Sequence, residues 1–143
     1  MVDDPFGVKD GAEAVAQLLS CGLMAIGWLS GIGTLFATDF SLVPSLISWG
    51  AFGIGVTVNH ARARRVAKRA GLRPFRRWSF LTSSFTKINS RRRLREAFRL
   101  ARSESEVIPN FLAEYRSILV TAVAVVAIVT TIAGSWFGSL QVE

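Results

Sequence analysis

Between Arg62 and Arg102 the chain places fifteen Lys and Arg residues with one acid, Glu96, and apolar runs long enough to cross a bilayer bound this block on both sides. A soluble fold has no use for that juxtaposition. It predicts an all-α integral membrane protein with three transmembrane helices and a basic, amphipathic helical segment on the cytoplasmic or lumenal side.

The apolar runs extend from about Ala14 to Ala37, from Leu42 to Val58, and from Ile118 to about Phe137. About twenty apolar residues cross the roughly 30 Å hydrocarbon core at 1.5 Å per residue, and SILVTAVAVVAIVTTIAGSWF meets that length without a charge. The second run is shorter and has Pro44 near its start. The first carries Gln17 and several glycines. A soluble bundle would need polar helix to wrap three such cores, and 143 residues at 50% hydrophobic leave too little of it. A cleavable signal peptide starts basic, whereas MVDDPFGVKDGAE holds more acids than bases, so the first run is expected to stay in the mature protein.

Orientation follows from the connecting segments. The stretch from Arg62 to Arg116 carries sixteen bases, whereas Thr38-Asp39-Phe40-Ser41 and Gln141-Val142-Glu143 carry none. Bases near a span stay on the cytoplasmic side, which predicts an N-terminus and basic loop inside and Glu143 outside. In a virion budded from such a membrane, the inside is the lumen facing the genome. The chain thus divides into a short acidic segment (1–13), a transmembrane hairpin (14–58), a basic inner-surface region (59–116), and a third span with a short tail (117–143).

A turn of about four residues between the first two spans forces an antiparallel hairpin. Small residues line contacts where lipid offers no hydrophobic drive between helices, which predicts packing at Gly27, Gly31, Ala51 and Gly55, extended by Gly22 and Gly33. Trp136 with Phe137 suits an outer aromatic belt. The second helix is expected to run on into the cytoplasm, because Ala63, Val66, Ala67 and Ala70 repeat at helical spacing among Arg62, Arg64, Arg65, Lys68 and Arg69. Gly71 and then Pro74 mark its stop.

After Pro74, Trp78, Leu81, Phe85 and Ile88 fall on one helical side among Arg76, Arg77 and Lys87. Leu94, Ala97, Phe98 and Ala101 repeat the spacing among Arg91, Arg92, Arg93, Arg95, Arg99 and Arg102. Both patterns predict a basic amphipathic helix in the headgroup plane, with Trp78, Leu81 and Phe85 as interfacial anchors. Residues Ser103 to Pro109 interrupt it, and Ile108, Phe111, Leu112 and Tyr115 lead into the third span.

Such a block suits three ligands. Anionic lipid ranks first, because each base near an anionic leaflet contributes about 1 kcal/mol. Nucleic acid comes next, with Trp78, Phe80 and Phe85 for stacking, although no recognisable nucleic-acid fold accompanies it. An acidic face of a neighbouring membrane subunit is the third.

Catalytic chemistry has little to stand on. Cys21 is the one cysteine and His60 the one histidine, so neither a disulfide within the chain nor a multi-cysteine metal site is possible. Asp39 falls in the outer turn, and the spans hold no central acid or base of the kind that couples transport to ions. Nucleotide-loop, GxSxG and HExxH patterns are absent, and Gly50, Gly53 and Gly55 lie in an apolar helix with no strand before them. No cofactor is expected. The sequence reads as a non-enzymatic structural or assembly component that oligomerises with like or unlike membrane subunits. The alternatives are a virion membrane protein whose basic face contacts the genome, and a small holin-like pore, for which Gln17, Ser20 and Ser30 make a poor polar stripe.

Overall fold

A computed structural model describes residues 4, 6–37, 41–71 and 89–140. The described residues form four helices and no strand: α1 (Gly11–Phe36), α2 (Leu42–Arg69), α3 (Arg91–Ser103) and α4 (Val107–Leu140). Helices α1, α2 and α4 are long and apolar enough to cross a membrane.

Local chemistry sets the helix ends. Asp10 caps α1 by accepting the Glu13 amide at 2.9 Å, and the Glu13 carboxylate accepts the Lys9 amide at 3.1 Å, so two amides left over at the helix start are satisfied. Helix α2 runs without a break from Leu42 through the basic stretch to Arg69. Gly71 then turns left-handed at φ 67°, with its amide donating to the Lys68 carbonyl. Ser90 caps α3 through the Arg93 amide.

Helix α4 starts at Val107, eleven residues ahead of the expected span. Pro109 does not interrupt it, because it sits in the first turn, where a missing N–H forfeits no intrahelical bond. The true break is the short link after Ser103, in which Glu106 adopts a positive φ of 59°.

Helices α1 and α2 form an antiparallel pair whose closeness depends on three glycines. A Cβ at Gly27 would lie 2.5 Å from the Phe52 amide nitrogen and 2.7 Å from the Ser48 carbonyl oxygen. At Gly55 it would meet the Ser20 carbonyl and Met24 at 2.9 Å, and at Gly31 the Trp49 ring at 2.8 Å. Ala51 is half-buried. Gly22 and Gly33 have nothing within 4 Å, so the expected packing stripe does not extend to them.

Helix α4 runs antiparallel to α2, with Val126 against Gly50 and Glu114 against Arg65. The described core gathers at the end of the bundle where α1 begins, α2 ends and α4 begins. Ala12, Ala16, Val58, Phe111 and Tyr115 form its centre, and Phe6 closes over Ala63 and Val66 beside it. Toward the opposite end the surface is apolar: Ile128, Ile132 and Trp136 on α4 are each exposed by 60% or more.

Helix α3 is tied at both ends to α1. Asn89, just before it, accepts from the Cys21 thiol at 3.4 Å, and Glu104, just after it, accepts the Gly11 amide at 2.9 Å. The helix therefore runs back along the first turns of α1, with Ala97 fully buried. Of its apolar residues Ala97 is turned inward, whereas Phe98 is 59% exposed. An amphipathic pattern records that one face is buried but not whether lipid or another helix buries it.

Candidate functional site

The bases divide into those held by acids and those left facing outward. The inner set centres on Glu13, whose side chain is only 9% exposed and which lies between two arginines of α2. Its Oε1 accepts from Arg69 at 2.6 Å and lies 3.5 Å from Nε of Arg62. Arg62 is fully buried, and among the described residues none of its three guanidinium nitrogens has a hydrogen-bond partner. Positions 62 and 69 are two turns apart, so one α2 face presents both to the start of α1. Beside them Asn89 donates to Asn59 at 2.9 Å, tying the segment before α3 to α2.

A second pair lies between α2 and α4. Arg65 bonds the Glu114 carboxylate at 3.1 Å, and its guanidinium carbon sits 4.4 Å from the centre of the Tyr115 ring, a cation–π arrangement. Tyr115 stacks in turn on Phe111, with ring centres 5.2 Å apart. A third group ties Arg93 to Glu96 and to Asp4 of the acidic N-terminal segment. The Arg93 guanidinium holds the Asp4 carboxyl below the usual carboxylate range, assisted by the Phe6 amide.

The outer set is mostly on α3. At 100° per residue, Arg91, Arg92, Arg95, Arg99 and Arg102 fall within about 100° of arc, opposite the buried Ala97. Arg92 pairs with Glu96 at 3.1 Å. Among the described residues Arg91, Arg95, Arg99 and Arg102 are exposed and enter no ion pair, and Phe98, 59% exposed, borders their stripe. Arg64 and Lys68 on α2 are likewise exposed and unpaired.

Of the basic residues singled out in the sequence, Arg62, Arg65, Arg69, Arg92 and Arg93 thus have acidic partners within the chain. Arg76, Arg77 and Lys87, with Trp78, Leu81 and Phe85, lie outside the described residues. Reading the sequence assigned no role to the acids that pair with these bases. Glu13 and Arg69 are 56 residues apart, and Asp4 and Arg93 are 89 apart. One signal did exist: Glu13 borders an apolar run, where a carboxylate needs a cation.

No group of three or more metal-ligating side chains occurs among the described residues. His60 is half-buried, and Gln17 and Ser20 are fully buried within the bundle. No protein-family model, curated protein or solved structure matches this chain.

Proposed function

We propose that this protein is a structural or assembly component of a membrane, anchored by α1, α2 and α4, with an arginine surface that engages the anionic inner leaflet. On this reading the N-terminus and α3 lie inside and residue 143 outside. The observation that carries it is the stripe of Arg91, Arg95, Arg99 and Arg102, which the fold holds away from its own acids. Phe98 beside the stripe supplies an apolar group of the kind that inserts at a headgroup boundary. The exposed apolar surface of α4 supports association with a second membrane subunit, because little of that helix is covered within the chain.

The lipid reading predicts a local response at α3. A polarity-sensitive dye on Phe98→Cys, in a Cys21→Ser background, reports a less polar environment in nanodiscs containing phosphatidylglycerol than in phosphatidylcholine alone. Changing Arg91, Arg95, Arg99 and Arg102 to Gln abolishes the difference, as does about 1 M salt, since each base contributes about 1 kcal/mol and the Debye length shrinks to about 3 Å. If the dye ignores lipid charge and the wild-type protein instead retains single-stranded RNA at near-physiological salt, the surface serves a nucleic acid.

A further inference from the structure

We infer that the groove between α2 and α4 is a binding site for one anionic phospholipid, holding an acyl chain along its floor and the phosphate at Arg64 and Lys68. The inference deepens the proposed function and rests on α2 and α4 spanning the bilayer.

The groove has a volume of about 290 Å³ and is lined by Trp49, Gly50, Gly53 and Thr57 of α2 and by Ala122 and Val126 of α4, among others. Its walls are apolar apart from the Trp49 indole N–H and the hydroxyls of Thr57 and Thr130, whose protons are already donated: Thr57 to the Gly53 carbonyl at 2.9 Å and Thr130 to the Val126 carbonyl at 2.8 Å. The floor therefore asks for hydrocarbon. Glycines at 50 and 53 leave the space that side chains there would occupy, with Val126 methyls 3.0 and 3.6 Å from where their Cβ atoms would stand.

A phospholipid fits better than plain hydrocarbon because cations continue the same helix face. At 100° per residue, Gly50, Gly53, Thr57, Arg64 and Lys68 fall within about 60° of arc on α2. The distance also suits one lipid. From Gly50 to Arg64 the helix rises about 21 Å, half of the roughly 40–45 Å bilayer thickness that includes the headgroups. Among the described residues Arg64 and Lys68 have no acidic partner and so can receive a phosphate, whereas the α2 bases to either side are held, Arg62 and Arg69 by Glu13 and Arg65 by Glu114. A planar guanidinium beside a mobile ammonium makes a charge-assisted phosphate clamp.

The test uses the full chain in mild detergent, equilibrated with equal amounts of phosphatidylglycerol and phosphatidylcholine, with retained lipid counted by native mass spectrometry. Wild type keeps one phosphatidylglycerol in preference. The double variant Arg64→Gln, Lys68→Gln reduces that preference by about fivefold or more, the loss of at least one base–phosphate contact. Gly53→Leu fills the groove and removes the retained lipid of either kind. Its Cβ meets Val126 at an ordinary 3.6 Å, so its thermal midpoint stays near wild type. Changing Arg91, Arg95, Arg99 and Arg102 to Gln leaves this lipid in place, which separates the groove from the α3 surface. Equal retention of the two lipids by wild type overturns the proposal. So does a Gly53→Leu variant that keeps its lipid, or one that keeps its lipid while turning a dimer into a monomer, which would assign the groove to a second copy of the chain.

Discussion

Gly27→Ala, a single added methyl, separates α1 from α2 and lowers the stability of the bundle by about 1–3 kcal/mol, the range for forcing atoms into a packed interface. The new Cβ would stand 2.5 Å from the Phe52 amide nitrogen and 2.7 Å from the Ser48 carbonyl, and backbone atoms inside a hydrogen-bonded helix cannot rotate aside. Gly31→Ala is milder, because its obstacle is the Trp49 side chain and not backbone. Gly22→Ala and Gly33→Ala meet nothing within 4 Å and gain the helix preference of alanine over glycine. Thermal unfolding in mild detergent ranks the four variants. Equal midpoints for Gly27→Ala and Gly22→Ala would show that the two helices do not meet at Gly27.

The second large effect is an asymmetry between the members of one ion cluster. Glu13→Gln preserves the size of the side chain and leaves the Asp10 cap intact, because Asp10 bonds the backbone amide of residue 13. It removes the one carboxylate beside Arg62, a fully buried guanidinium with no hydrogen bond. Removing one partner of a buried pair costs about 3–5 kcal/mol, since the other charge remains in a poorly solvating site. Arg62→Met has a far smaller effect, within about 1 kcal/mol of wild type or stabilising, because it deletes three unsatisfied nitrogens while Glu13 keeps Arg69 and the Lys9 amide. Comparable losses from the two variants in the same unfolding assay would contradict this arrangement.

The features legible in the sequence are those with local causes. The run of α2 from Leu42 past Val58 to Arg69 follows from alanines and valine at helical spacing, and its stop follows from Gly71, whose left-handed φ glycine adopts without strain. The three long apolar helices follow from composition alone. By contrast, the position of α3 depends on which surface claims Ala97, and its amphipathic pattern is the same for a lipid interface and for a docked helix. The sorting of the bases was also hidden, because most of the held bases are paired with acids 49 to 89 positions away, including Glu114 for Arg65 and Asp4 for Arg93. Charge density alone did not distinguish Arg62, enclosed beside Glu13, from Arg64, two residues on and open to its surroundings.

Everything proposed for this surface depends on three crossings that leave α3 and the C-terminal end of α4 on opposite sides of one membrane. In a Cys21→Ser background, single cysteines at Arg95 and Ser139 measure that directly in sealed vesicles of known orientation, using a maleimide that does not cross lipid. Both positions are exposed in the fold. The account predicts that Arg95→Cys reacts only when reagent reaches the inner face and Ser139→Cys only from the outer face. Labelling of both cysteines from the same side would mean an even number of crossings between them and would contradict the account.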